Sequence, residues 1–316
     1  MTAKERYDMD YKCNLIIDSC CDLPYEVVDR EGVYLLEFPY FDGAGEHLDD
    51  LYRSRTSKDF FDGMRNGEEP TTAQLSPLVL RSAFEWAHEQ GLPTVYLSFS
   101  SGLSGTFDAA CLLLEQVREE LPGLDVRIVD TKLASIAEAF LVYEAMRQRE
   151  RGLDADELVA WAEEARYYVD AQFMVSDLEC LRRGGRIPSS VAFAGAKLDV
   201  KPLLGFDLDG KLSLSGVARG RKKGIKSLFE YFQKRAASHA PGQNVVLGNA
   251  DCPKDAERLA DYLTKYDDSL LFLESDIGPV IGSHVGPDML AIVFWGNDRR
   301  NEVSVSDRIA NKIKGR

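Results

Sequence analysis

The sequence predicts two α/β domains: an N-terminal one with a largely parallel sheet and flanking helices, and a C-terminal one with a mixed sheet, the ligand lying between them. Three observations predict this. Short apolar runs alternate with amphipathic helical patterns through the first half, the signature of βαβ units. The character changes after about residue 166, which places the domains at residues 1–165 and 166–316. Polar, hydroxyl-rich loops follow several apolar runs, and in an open parallel sheet ligands sit beyond the carboxyl ends of the strands.

The elements follow in order. NLIIDS reads as the first strand, PYEVVDREG as a helix, and VYLLEFPYF as the next strand. After a polar insert, SPLVLRSAFEWAHEQG is helical, TVYLSFS is a buried strand, DAACLLLEQVREEL is a helix with apolar residues at i, i+3 and i+4, and VRIVDTK is a strand. ASIAEAFLVYEAMRQRERG and ADELVAWAEEARYYV follow as amphipathic helices. In the second half, AQFMVSDLECLRRGG precedes a glycine-rich helix around SSVAFAGAKL, and KPLLGFDLDGKLSLSG reads as short antiparallel strands about Asp209-Gly210. NVVLGNA, the helix KDAERLADYLTKY, the strand SLLFLES, the loop IGPVIGSHVGP and LAIVFWG close the pattern.

Composition narrows the function. A net charge of −14 repels phosphate backbones, so nucleic acid is not an expected partner. The apolar runs are too short to cross a bilayer and the opening MTAKERYDMDYK has no signal-peptide core, so a cytoplasmic protein that is not integral to a membrane is expected. The 6 cysteines show no CxxC spacing and read as reduced, mostly buried thiols. The histidines His47, His88, His239 and His284 have no paired-ligand spacing, and neither metal nor cofactor is expected. LRRGGR and ARGRKKGIK stand out as basic stretches on an acidic background.

LSFSSGLSGTFDAA gathers hydroxyls and bare amides at a strand-to-helix junction. A capped turn needs one hydroxyl; an anion site would use several, because the first N–H groups of a helix lack partners. Both readings stay open on that stretch alone. Taken together, IIDSCCDLP, PTTAQLSP, LSFSSGLSGTFDAA, IVDTKLAS, VSDLECLRRGGRI, VKPLL and IGPVIGSHVGP resemble, in order, the motifs of the DegV family of bacterial fatty-acid-binding proteins. The resemblance covers essentially the whole chain. Two positions depart from the family pattern: Ala73 stands where Ser is usual, and Cys20 and Cys21 replace small hydroxyls.

The resemblance implies an acyl chain in an apolar tunnel between two α/β domains, and a carboxylate presented to a separate ATP-dependent fatty acid kinase. The acyl phosphate then moves toward phospholipid synthesis. Carried over residue by residue, the carboxylate-binding groups fall on Thr72, Ser100, Ser101 and Ser104, with His284 beside them. Hydroxyl donors suit a carboxylate that must stay available for reaction, whereas a bidentate arginine would occupy both its oxygens. Leu103, Met174, Phe193, Ala194, Leu198 and Ile281 are candidates to line the tunnel. Arg182, Arg183, Arg186, Arg219, Arg221, Lys222 and Lys223 are expected on a kinase-facing surface, with Arg186 alternatively reaching the head group. The rival reading is an autonomous serine hydrolase or esterase, with Ser100 or Ser104 as nucleophile, His284 as base and Asp18 or Asp130 as orienter, though no GxSxG elbow is present.

Overall fold

The computed structural model describes residues 11–187, 199–237 and 243–302. Asn14–Asp18 (β1) is buried along its whole length, as a strand covered on both faces should be. It leads through a 3-10 turn at Ser19–Cys21 into the short helix Tyr25–Val28 (α1). The run VYLLEFPYF divides at Pro39. Val33–Leu36 (β2) stays beside β1, while Pro39–Asp42 (β3) leaves to pair with Gly45–Leu48 (β4). The polar insert is therefore a hairpin, followed by helix Ser57–Arg65 (α2), which Thr56 caps. Thr71–Thr72 (β5) adds a short third strand to this small antiparallel sheet.

Pro77–Gln90 (α3) starts as its sequence requires, with Ser76 as N-cap and proline in the first turn. Thr94–Ser98 (β6), Thr106–Glu120 (α4), Val126–Asp130 (β7), Ser135–Glu150 (α5) and Ala155–Ala165 (α6) follow. Strands β2-β1-β6-β7 form a parallel sheet.

The second sheet begins at Val169–Met174 (β8). After helix Glu179–Arg183 (α7) come Val200–Phe206 (β9), Leu212–Arg219 (β10), helix Arg221–Arg235 (α8), Asn244–Asn249 (β11), helix Pro253–Tyr266 (α9) and Leu271–Asp276 (β12). Helix Pro279–Val285 (α10) and Leu290–Trp295 (β13) complete it. The strand order is β10-β9-β8-β13-β11-β12, with β11 and β12 parallel and the other neighbours antiparallel. The glycine-rich SSVAFAGAKL, with Phe193, Ala194 and Leu198, lies outside the described residues. IGPVIGSHVGP, expected as a loop, contains α10 instead: proline at its first position has the φ a helix start needs and gives up no N–H that would be bonded there.

Helix α5 positions the site. It is buried nearly all round, with most of its 16 residues buried, including Glu138, Glu144 and Arg149, the pattern of a helix enclosed by other layers. It packs on β8, β11 and β13 of the second sheet and on the Ser19–Cys21 turn of the first. One buried cluster consequently runs from Cys13 to Val293, across the gap between α6 and β8. The outer face of the second sheet has its own cluster beneath α8 and α9, built on Met174, Ile225, Leu228, Leu290 and Ile292. All 6 cysteines are free, with Cys111 and Cys180 partly exposed. Among the described residues, no helix is long and apolar enough to cross a membrane.

Candidate functional site

Between the inner face of the second sheet and the loops of the first lies an apolar cavity of about 210 Å³. Phe99, Leu103, Phe173, Phe206, Ile281 and Val293 supply bulk to its walls, and Ala134, Ala137, Ala171 and Ala291 leave the space between them. Most of its polar groups gather where β5, the start of α4, α7 and α10 meet: Thr72, Gln74, Ser104, Arg186 and His284; Ser135 at the start of α5 and Gln172 on β8 also line it. Among the described residues no carboxylate lines it. The arginine is therefore not neutralised from within the cavity, which favours an anionic ligand end.

Thr72 Oγ1 lies 2.8 Å from His284 Nε2. The other ring nitrogen, Nδ1, is buried without a partner and is packed against Gly184, where an added Cβ would overlap it. An orphaned N–H costs more than an orphaned lone pair, so the proton belongs on Nε2, which donates to Thr72 and leaves the threonine O–H free to donate in turn. Burial lowers the His284 pKa from 6.5 to about 4, helped by Arg186 and Arg183, so the ring is neutral at physiological pH. Arg186 Nε donates to Leu103 O at 3.3 Å, and Nη1 to Gly184 O. Arg186, expected either on a partner-facing surface or at the head group, thus sits in the cavity wall.

The serines of LSFSSGLSG divide. Ser104 lines the cavity and also serves the turn, its Oγ donating to Thr106 Oγ1 at 3.0 Å and accepting from Thr106 N at 3.2 Å. Ser100 does not line it: fully buried, it donates to Gly210 O at 2.9 Å and ties the loop to the β9–β10 turn. Ser101 also turns away, its Oγ donating to Asp130 and accepting from Lys132 Nζ at 2.9 Å. Burial tends to raise the Asp130 pKa, but bonds from Lys132 and Ser101 hold it below the ordinary value. Two of the expected carboxylate ligands are therefore occupied by internal bonds, and neither caps α4, whose N-cap is Gly105 with no side-chain bond. No serine Oγ among the described residues is bonded to His284, so the hydrolase constellation is not assembled.

Leu103 and Ile281 line the cavity as expected, but Met174 does not. Successive strand residues face opposite ways, so Phe173 points inward and Met174 outward into the α8 layer. Counting by twos along AQFM exposes this signal, which also reveals Ala171. Of the basic residues, Arg182 pairs with Glu179 at 2.6 Å, Arg183 with Glu69 at 3.0 Å, and Arg221 with Asp255 at 2.6 Å. Arg219, Lys222 and Lys223 are exposed. The ends of β8 and β10 and the start of β13 lie at one end of the sheet, because β8 runs antiparallel to β9 and β13, and β9 to β10. Both basic stretches therefore emerge at the same end as His284.

Asp18, Asp22, Asp49 and Glu138 are buried acids that form no ion pair among the described residues. Burial pushes Asp18 and Asp49 up to about 7, and Asp22 and Glu138 well above the carboxylate range. A group whose pKa is raised on folding stabilises fully below its unfolded value and loses that contribution as pH rises through the folded one. His284 acts in reverse, losing stability as pH falls from 6.5 to about 4, but the acids outnumber it. The melting temperature of the ligand-free protein is expected to fall between about pH 5 and 8, and Asp18→Asn to flatten the slope. Thermal denaturation across that range checks it; an unchanged slope in the variant counts against it.

A family model described as "Uncharacterised protein, DegV family" matches residues 12–297. The chain belongs to the DegV family. A DegV domain-containing protein of Clostridium perfringens is 36% identical over 286 residues, covering 90% of this chain and 98% of that one. Among solved structures, a fatty-acid-binding DegV family protein from Thermus thermophilus superposes with a TM-score of 0.79 at 27% identity, covering 90% of this chain and 99% of the other. DegV from Bacillus subtilis, a fatty acid binding protein, gives 0.77 at 25%, covering 91% and 100%.

Proposed function

We propose that this DegV protein binds a long-chain fatty acid, with the hydrocarbon in the cavity and the carboxylate held by Thr72, His284, Ser104 and Arg186. The observation that carries the reading is the asymmetry of the cavity: apolar walls, no lining carboxylate among the described residues, and an arginine beside a Thr–His pair at one end. Burying roughly 15 methylenes at about 0.8 kcal/mol each gives on the order of 12 kcal/mol, enough for tight binding after association costs are subtracted. The hydroxyl, imidazole and guanidinium donors mainly fix position. The fatty-acid-binding relatives from Thermus and Bacillus support the same ligand class.

The protein presents that carboxylate to a separate fatty acid kinase. Ala73, Gln74 and Gly105 line the cavity and are exposed, so the polar end lies beside solvent and within a partner's reach. One carboxylate oxygen attacks the γ-phosphorus of ATP in the partner; the P–O bond to ADP breaks, giving an acyl phosphate and ADP. The exposed cations Arg219, Lys222 and Lys223, together with Arg182, form the docking face at that end. The bridges of Arg221 to Asp255 and of Arg183 to Glu69 give those two a structural duty as well. Reversing Lys222 and Lys223 to glutamate is expected to slow acyl-phosphate formation roughly tenfold while leaving lipid content unchanged. Unaltered turnover rules that face out. Native mass spectrometry of protein purified from cells, with organic extraction, tests the ligand: a co-purified fatty acid supports the reading, and a cavity that cannot be loaded removes it.

A further inference from the structure

The helix carrying His284, α10, has 7 residues, too few to hold itself together. Its start is straddled by two buried carboxylates from the N-terminal half. Gly278 N donates to Asp22 Oδ1 at 3.0 Å, and Val280 N to Asp49 Oδ2 at 3.4 Å. Gly278 lies so close that an added Cβ would sit 2.6 Å from Asp22 Oδ1 and 2.9 Å from Asp49 Oδ2. Asp22 is itself fixed, with Ser135 Oγ 2.5 Å from its Oδ2 and Ser275 Oγ donating to its carbonyl. Asp49 Oδ1 accepts from Leu51 N at 3.2 Å. Leu51 and Tyr52 are consecutive residues with φ of 57° and 62°, a strained turn that places Tyr52 Oη 2.6 Å from Ile277 O, just ahead of α10. On its flank, Gly282 packs directly on the Phe60 and Phe61 rings. The helix is thus held at its head and side, and its last turn delivers His284 to Thr72.

Asp22 and Asp49 are buried, and among the described residues neither forms an ion pair that would offset the cost. Asp22 belongs to the IIDSCCDLP motif and Gly278 to IGPVIGSHVGP, so the contact joins two sequence motifs 256 residues apart. We infer that Asp22 and Asp49 are positioning residues of the carboxylate site: by anchoring the start of α10 they set His284 at hydrogen-bonding distance from Thr72. The inference rests on the fatty-acid reading above. Their geometries differ in a testable way. Both oxygens of Asp49 accept from backbone N–H groups, so an asparagine amide would turn an NH2 donor toward one of them. At Asp22 an asparagine can keep its oxygen on Gly278 N and donate to the Ser135 hydroxyl, a faithful replacement.

The experiment compares palmitate with 1-hexadecanol, which share a tail and differ at the head, by titration calorimetry on the full chain at about pH 8, where carboxylates outside unusual sites are ionised. The parent protein is expected to prefer the acid by roughly tenfold or more. Asp49→Asn and Asp22→Ala are expected to reduce that preference to about twofold with hexadecanol affinity retained, while Asp22→Asn keeps it. A preference unchanged in both Asp49→Asn and Asp22→Ala overturns the inference. So does a parallel loss for acid and alcohol, which marks a merely structural role. If Asp22→Ala does not fold, the near-isosteric Asp49→Asn decides alone. Absence of preference in the parent chain removes the carboxylate site itself, an outcome distinct because it appears before any substitution.

Discussion

Replacing Ala171 with phenylalanine is expected to abolish fatty-acid binding. Ala171 lies on the inner face of β8 beside Phe173 and lines the cavity, so a phenyl ring there enters space the hydrocarbon would occupy. Excluding even four methylenes costs about 3 kcal/mol, roughly a hundredfold in affinity. Overpacking would also strain the core by about 1–3 kcal/mol, which a melting curve measures separately. The check is the lipid content of purified protein: parent-like stoichiometry in a folded variant would show that the chain does not pass β8.

Thr72→Val is expected to weaken palmitate binding by roughly ten- to a hundredfold, and Ser101→Ala to leave it within about twofold. Valine keeps the volume but removes the oxygen 2.8 Å from His284 Nε2, so a buried N–H loses its partner and the carboxylate a donor. Leaving such a group unpaired costs about 1–3 kcal/mol. Ser101, only four residues from the cavity-lining Gly105, serves Asp130 and Lys132 instead. Competition binding against a fluorescent fatty acid measures both variants. Equal losses would mean that the Asp130 side of the loop faces the ligand, contrary to the assignment of the site to Thr72 and His284.

These two serine and threonine positions show where sequence reading stops. Hydroxyl-rich loops after apolar strands pointed to the end of the fold where the cavity lies, because strand-to-helix turns in a parallel sheet open on one edge. They could not say which hydroxyls were already committed. Ser100 is used by Gly210 and Ser101 by Asp130, partners 110 and 29 residues away. Arg186 reads as one cation among several in LRRGGR, and only its bonds to Leu103 O and Gly184 O turn it inward. Met174 was misplaced for a local reason that alternation along β8 corrects.

The sequence by itself determined most of the local order: the main strand and helix runs, apart from the split of VYLLEFPYF and the helix within IGPVIGSHVGP, where Ser76 and Pro77 start a helix, and that the chain carries DegV motifs in DegV order. Those properties depend on near neighbours, through side-chain periodicity and backbone preference. The tertiary structure alone decided that α5 is shared by both sheets, that Thr72 meets a histidine 212 residues later, and that Asp22 and Asp49 hold the helix bearing it. Such pairings depend on packing and on which buried polar groups must satisfy one another, conditions met only once the whole core has closed.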